Sequence, residues 1–295
     1  MSESDWLLGR FEEQRPKLRA VAYRMLGSLA EADDALQDAW VRVSRAGADD
    51  VENLGAWMTT IVARVCLNMI RSRNVRKEEP LEARLPDPIV LPEGAAEPEE
   101  EAVLADSVGL ALQIVLETLS PSERLAFVLH DMFDLPFEEI APMVGKSTDA
   151  ARQLASRARR RVKGAGPPEA EPDRHRQRAV VDAFFAAARG GDLTSLVALL
   201  HPDVVLRADL SPGRPSASRV VRGAEAVARQ ARIGADPAAI VLPALVNGAA
   251  GAVVTLEGRP HVLMAFTVAE GKIVEIDIIG DPQRVGKVAA SVLAG

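Results

Sequence analysis

Leu7, Leu8, Phe11, Leu18, Val21, Ala22, Met25 and Leu26 recur at steps of three and four residues, the spacing that gathers side chains on one side of an α-helix. Pro16 is expected to break or kink this helix near its middle, and Gly27 to end it. Ser28-Leu-Ala-Glu31 has the form of a capping box. It opens a second helix with Leu29, Ala32, Leu36, Ala39, Trp40 and Val43 on its apolar side and Asp33, Asp34, Gln37 and Asp38 on the other. After the polar run RAGADDVEN, a third long helix is marked by Leu54, Trp57, Met58, Ile61, Val65 and Met69. The periodicity then lapses. The stretch LPDPIVLPEGAAEPEEE, with its prolines and closing acids, reads as an extended and poorly helical linker. Helical spacing returns from Val103 to Leu119, and Ser120-Pro-Ser-Glu123 forms a second capping box with proline at the first helical position. Next, Phe137, Ile140, Ala141 and Val144 make one apolar face. Gly145 supplies a turn, and Ser147 or Thr148 caps a further helix. The residues that pack back are Ala150, Ala151, Leu154, Ala158 and Val162.

Beyond the second linker, KGAGPPEAEPD, the period changes. Short helices are expected around residues 177–189 and 193–200. The stretches PDVVLRADL, AIVLPALVN, AGAVVTLEG, HVLMAFTVAEG and KIVEIDIIGD then read as strands, the last two joined by a tight turn at Glu270-Gly271. Helices first and an antiparallel sheet later give a multidomain chain, all-α and then α+β. The expected boundaries are a helical block at 1–78, a linker at 79–102, a second helical block at 103–165, a linker at 166–173 and an α+β domain at 174–295.

Charge sharpens this picture. The chain carries a formal charge of −7, which by itself argues against a nucleic-acid partner. Its distribution argues the other way. Arg64, Arg71, Arg73, Arg76 and Lys77 form one basic run. Lys146, Arg152, Arg157, Arg159, Arg160, Arg161 and Lys163 form another, and the acids of residues 78–106 lie between them. Clustered basic patches are what a phosphate backbone selects. The single cysteine, Cys66, excludes an intrachain disulfide framework and fits a reducing compartment. The acidic N-terminus lacks the pattern of a signal peptide, and no window approaches 18 uncharged apolar residues. A cytoplasmic protein without a membrane span is therefore expected.

The turn at Gly145 joins two short helices, the second of which turns Thr148, Asp149, Arg152, Gln153, Ser156, Arg157 and Arg160 outward. That is the arrangement of a recognition helix in a major groove. Arginine can bond guanine edges and glutamine adenine edges, while flanking cations suit phosphates. On the third helix, Arg64, Asn68 and Arg71 share a side that Trp57 and Thr60 extend, a face able to hold a DNA strand with an aromatic ready for stacking. The acidic face at Asp33, Asp34, Gln37 and Asp38 is either a solvated face or a docking face. In the last domain His201, Asp203, His261 and Asp277 are the candidates for an acid–base pair, with structural roles the commoner fate of such residues. One cysteine and four scattered histidines show no metal-ligand spacing, and no cofactor is expected.

The blocks AYRMLGSLAEADDALQDAWVRV, AWMTTIVARVCLNMIRSRNVRKE and LSPSERLAFVLHDMFDLPFEEIAPMVGKSTDAARQLASRARRRV, in this order, resemble bacterial RNA polymerase sigma factors of the extracytoplasmic-function group. The tail, with LLHPDV, LVNG and the closing strands, resembles the SnoaL-like, NTF2-type cone that SigJ-type members carry after region 4. The resemblance implies two all-α sigma domains followed by an α+β cone. Asp33, Asp34, Gln37, Asp38 and Trp40 would then face core polymerase, with Trp40 either touching it or packing. The −10 strand would meet Trp57, Thr60, Arg64, Asn68, Arg71 and Arg73. Lys146, Ser147, Thr148, Arg152, Gln153, Ser156, Arg157 and Arg160 would meet the −35 duplex. The acidic linker would thread the polymerase cleft, and the cone would regulate in cis, with Asn247, Gly248 and Gly251 as a regulatory contact. Where the subgroup often has a Trp-Leu-Pro-Glu-Pro run, this chain has Arg84-Leu-Pro-Asp-Pro88. The resemblance further implies that no separate anti-sigma factor is required. Such cones also host small-molecule ligands, and the alternative reading is a one-component helix-turn-helix regulator whose cone senses one.

Overall fold

The structure, a computed structural model, describes residues 3–47, 51, 53–75, 85–94, 110–165, 170–210, 219–234, 236 and 238–293. The chain divides into two compact units. One takes residues 1–80, 98–104 and 112–166, the other residues 81–97, 105–111 and 167–295. Arg76, Lys77 and Arg84, and the helical pattern expected from Val103 to residue 109, lie outside the described residues.

In the helical unit, α1 (Glu3–Leu26), α2 (Leu29–Ala46) and α3 (Leu54–Val75) pack on one another. Leu7, Phe11, Leu18, Val21, Met25, Leu36, Val43, Met58, Val62 and Cys66 are buried among them, and burial raises the pKa of the Cys66 thiol. Leu8, read as part of the apolar stripe, is instead exposed. Pro16 does not break α1. Proline deletes one backbone bond, but buried residues on both sides of it, Phe11 before and Leu18 after, hold the helix to its neighbours. The capping box expected at Ser28 does not form: the Ser28 side chain makes no cap bond, and Glu31 reaches Arg73 on α3 instead, at 2.6 Å.

The unit continues with α4 (Leu110–Glu117) from Leu112 on, α5 (Pro121–Phe127), a single π-helical turn (Val128–Met132), α6 (Phe137–Val144) and α7 (Thr148–Ala165). Here the capping box at Ser120 forms as expected, with Pro121 in the first turn. Gly145 ends α6 in the left-handed conformation, φ 67°, a geometry that favours glycine. The Ser147 hydroxyl accepts from the Ala150 amide and so caps α7. Ala151, Leu154, Ala155 and Ala158 are the buried face of α7. Gln113 and Arg124 donate to backbone carbonyls in the last turn of α1. Gln113 Nε2 donates to the Tyr23 and Arg24 carbonyls at 3.4 and 3.3 Å, and Arg124 Nη1 to that of Met25 at 2.9 Å.

The second unit is built on a seven-stranded sheet. Its elements are β1 (Val90–Pro92), α8 (Arg174–Gly190), α9 (Leu193–Leu199), β2 (Leu200–Asp209), β3 (Arg219–Arg222), α10 (Ala224–Gly234), β4 (Ala239–Val246), β5 (Ala249–Leu256), β6 (Arg259–Ala269), β7 (Lys272–Ile279), α11 (Pro282–Val288) and α12 (Ala290–Leu293). The strand order is β1-β4-β5-β6-β7-β2-β3, with β2 parallel to β7 and the other pairs antiparallel. The turns at Asn247-Gly248, Glu257-Gly258 and Glu270-Gly271 place both residues at positive φ, the type I′ geometry that suits the right-handed twist of a hairpin. Phe184 and Phe185 of α8 meet Phe266 of β6 with centroids 5.5 and 5.7 Å apart, inside a core shared with Leu196, Leu206, Val227 and Ile276. Helices α10, α11 and α12 were not visible in the periodicity.

The segment read as a free linker behaves differently over its described residues. Val90, Leu91 and Pro92 pair with Val246, Leu245 and Ala244, so β1 is the edge strand of this sheet. Leu85, Pro86 and Pro88 are buried. The linker reading failed here because hydrophobic residues between prolines look like a tether in sequence. Proline is tolerated at a sheet edge, however, where its missing N–H costs no ladder bond.

Candidate nucleic-acid interface

On α3, the exposed residues Arg64, Asn68 and Arg71 form one line along the helix, with half-buried Trp57 and Thr60 at its start. The line follows from the 3.6-residue period, because Met58, Val62, Val65 and Cys66 occupy the core side. The Thr60 hydroxyl is bonded to the Ala56 carbonyl at 3.0 Å, so it serves its own helix. Arg73 is tied to Glu31 across to α2.

The acidic face of α2 splits in two. Asp34, Gln37 and Asp38 are exposed. Asp33 is held by Arg19 of α1 in a two-bond fork of 2.7 and 2.9 Å. Trp40 is half-buried and packs on Phe11, with ring centroids 5.2 Å apart. Between α2 and α3 lies a polar cleft of about 320 Å³ lined by Asp38, Arg42, Asn68, Ser72 and the Glu31–Arg73 pair. Asp38 and Asn68 had been expected to serve different partners, and the fold sets them around one cleft. Arg42 carries no sequence signal for this cleft, because only the packing of α3 on α2 sets it beside Asn68 and Arg73.

On α7, Arg152, Gln153, Ser156, Arg157 and Arg160 are exposed, as are Lys146 and Ser147 in the turn before it, while Thr148 is half-buried. Sequence reasoning gave this face but not its internal electrostatics. Arg152 Nη1 bonds Asp149 at 2.9 Å and Nη2 bonds Glu138 at 3.1 Å, with the guanidinium 5.8 Å from the Phe137 ring centroid. Arg159 bonds Asp131 at 2.5 Å. Arg157 and Arg161 both reach Glu123 on α5. Glu123 was read only as a capping residue, and nothing in its spacing announces the two arginines.

In the sheet unit, Asn247 is buried and makes a paired contact with Ile89. Its side-chain oxygen accepts from the Ile89 amide at 2.7 Å, and its own amide donates to the Ile89 carbonyl at 2.8 Å. Gly248 completes the turn. Gly251 has no room for a side chain: a Cβ would lie 2.5 Å from Val246 Cγ2 and 2.7 Å from the Met264 carbonyl oxygen. The Gly251 carbonyl accepts from Arg178, which also ion-pairs with Glu93 at 2.7 Å. Arg284 of α11 bonds Asp87, Asp209 and the Leu85 carbonyl, and Ser291 bonds the Val90 carbonyl. The departure from the subgroup's tryptophan run therefore falls in a segment whose Leu85 and Asp87 are both engaged.

The acid–base candidates find other roles. His201 Nδ1 accepts from the Asp203 amide, and His261 is exposed on β6. Asp277 lies on the face of β7 opposite Ile276, away from the helix-covered core, and pairs with Arg207 at 3.2 Å. Burial pushes its pKa up to about 7: Arg207 offsets this only in part, because Glu275 beside it shares that guanidinium. Among the described residues no group of three or more His, Cys, Asp or Glu is placed to hold a metal, and no helix is long and apolar enough to cross a membrane.

Comparison with known proteins bears on this geometry. The family model for Sigma-70 region 2 matches residues 10–76, and that for Sigma-70, region 4 matches residues 110–162. The chain is 38% identical over 294 residues to the ECF RNA polymerase sigma factor SigJ of Mycobacterium tuberculosis, covering 94% of this chain and 92% of that protein. It is 31% identical over 297 residues to that species' probable ECF RNA polymerase sigma factor SigI, covering 100% of each. The crystal structure of M. tuberculosis SigJ superposes with a TM-score of 0.73 at 34% identity, over 94% of this chain and 97% of that one. A further similar structure is the sigma factor RpoE of Bartonella quintana in complex with the anti-sigma factor NepR, at 21% identity and a TM-score of 0.41, over 53% of this chain and 94% of that one.

Proposed function

Because the chain belongs to the extracytoplasmic-function sigma factors of RNA polymerase, we propose that its exposed helix faces divide the work of promoter recognition among themselves. The family assigns the chain to core polymerase and promoter DNA and to directing transcription initiation, and it leaves the one-component regulator without support. The finer assignment is our reading. Arg64, Asn68 and Arg71 of α3, with Trp57 for stacking, hold the −10 strand. Gln153, Ser156 and Arg157 of α7 read the −35 groove, with Arg152 joining once its carboxylates release it, and Lys146 and Arg160 hold phosphates. Asp34, Gln37 and Asp38 dock on polymerase, and the protein acts in the cytoplasm where polymerase is.

The observation that carries this reading is the capped helix pair α6–α7, which turns Arg152, Gln153, Ser156, Arg157 and Arg160 to solvent on one side while Ala151, Leu154 and Ala158 pack on the other. The cone regulates in cis, and the grip on residues 85–93 by Arg284, Asn247 and Arg178 supports that role. A segment held as a sheet edge is not available to thread a polymerase cleft.

The test is run-off transcription with bacterial core polymerase on genomic promoter fragments, with and without the protein. Specific transcripts that appear only with the protein are expected. Tight binding of the protein alone to duplex DNA, with no transcript, would overturn the reading.

A further inference from the structure

Glu123 stands at the third position of α5, and its side chain is only 7% exposed. Its capping work uses Oε2, which accepts from the Ser120 amide at 3.2 Å and the Ser120 hydroxyl at 2.7 Å. The same carboxylate takes two bonds from α7: Oε1 from Arg157 Nε at 3.2 Å, and Oε2 from Arg161 Nη1 at 2.7 Å. Burial alone would raise its pKa, but the bonds from Ser120 and Arg157 and the charge of Arg161 hold it below the usual carboxylate range. It is therefore an anion at neutral pH, set beneath the recognition helix.

Which guanidinium atoms are engaged decides what each arginine can still do. Arginine reads guanine through two N–H groups presented together. Arg152 has both terminal nitrogens occupied, by Asp149 and Glu138. These carboxylates are exposed, so the pairs are weak and screened, yet they must break before Arg152 can read a base. Arg161 has one arm of its fork occupied. Arg157 is held through Nε, which leaves its Nη1 and Nη2 for a base.

We propose that Glu123 is a positioning residue for promoter selection: its grip on Arg157 Nε aims the two terminal nitrogens of that side chain at one base pair of the −35 element, and its grip on Arg161 leaves that residue to a phosphate. The proposal rests on the reading of α7 as the −35 helix. The physical gain is preorganisation. A free arginine loses rotamer freedom on binding, and a charge-assisted bond to a buried carboxylate fixes the side chain beforehand.

The experiment is run-off transcription by core polymerase on a recognised promoter and its single-base −35 variants. The proteins compared are wild type, Arg157→Ala, Glu123→Gln, their double variant and Ser120→Ala, each with its thermal melt. Arg157→Ala narrows discrimination at one base pair by roughly tenfold. Glu123→Gln is expected to narrow it at the same base pair by at least about threefold, with the double variant no worse than Arg157→Ala. Ser120→Ala removes the hydroxyl half of the cap but leaves the Ser120 amide on Oε2 and both arginine bonds in place, so it is expected to lower the melting temperature and leave discrimination largely unchanged. Glu123→Asp keeps the charge but is one methylene short of the arginines. It provides the same readout if Glu123→Gln does not fold. The proposal is overturned if Glu123→Gln scales every −35 variant alike, or if Ser120→Ala narrows discrimination as much. Should Arg157→Ala itself scale all promoters alike, the fault lies in the reading of Arg157, and the role of Glu123 falls with it.

Discussion

The two units of this chain use arginine in opposite ways. On α7 the side chains of Arg152, Arg157 and Arg161 are 53, 47 and 54% exposed, and their carboxylate partners are drawn from the same small helical block. In the sheet unit Arg178, Arg207 and Arg284 are 14, 24 and 11% exposed, and each fastens strands or segments far apart in sequence. An exposed arginine keeps its hydration and can exchange a weak internal partner for a phosphate or a base. A buried one has already lost its water, and only its internal partners compensate for that loss. The contrast separates arginines able to exchange partners from arginines that hold the fold. Arg124, buried in the helical unit with its pKa lowered by burial to about 10, belongs with the second kind.

The largest effect that would break this contrast is at Arg284. Arg284→Ala removes the guanidinium that Asp209 and Asp87 share and releases the Leu85 carbonyl. It is expected to cost the sheet unit about 3–5 kcal/mol, read by urea unfolding, and to open residues 85–94 to protease. A loss below about 1 kcal/mol would place Arg284 with the exposed arginines.

Next comes the Arg207–Asp277–Glu275 cluster. The folded pKa of Asp277, about 7, lies above its ordinary value of 3.8. As pH rises the unfolded chain therefore loses this proton first, and the stability it contributes is full below about pH 4 and lost as pH rises through about 7. Asp277→Asn should flatten the fall in melting temperature between pH 4 and 7. Parallel profiles for variant and wild type would show that Asp277 does not titrate there.

The smallest effect on stability sharpens the contrast from the other side. Arg160→Ala is expected to change unfolding free energy by less than about 0.5 kcal/mol. It should also lower the salt dependence of promoter binding by the polymerase complex by about one unit of slope.

Much of the helical unit was legible before folding. The Ser120 box and the Gly145 turn are local signals, and both hold; the small-residue face of α7 holds at Ala151, Leu154 and Ala158, while Ala150 and Val162 stay half-buried and Ala155 joins the buried side. The Ser28 box has the same letters and fails, because Glu31 finds Arg73, 42 residues away, a stronger partner than its own cap. The strands from Ala239 onward were legible as well, since alternation and X-Gly turns are properties of neighbouring residues. The candidate site was half legible: which arginines face outward follows from helical period, but which of their nitrogens are taken does not.

The sequence by itself determined the order of the helices up to α9 and of the strands from Ala239 onward, the family, and the exposed faces of α3 and α7, because these depend on spacing within a few turns of chain. The tertiary structure alone decided three further things. Residues 90–92 became a strand of a sheet formed about 150 residues later, at Val246. Asp277 turned to Arg207 and not to a histidine. Glu123 gathered two arginines from another helix. In each case the partners are distant in sequence, and a buried polar group takes whatever complementary charge or hydrogen bond the fold brings within about 3 Å.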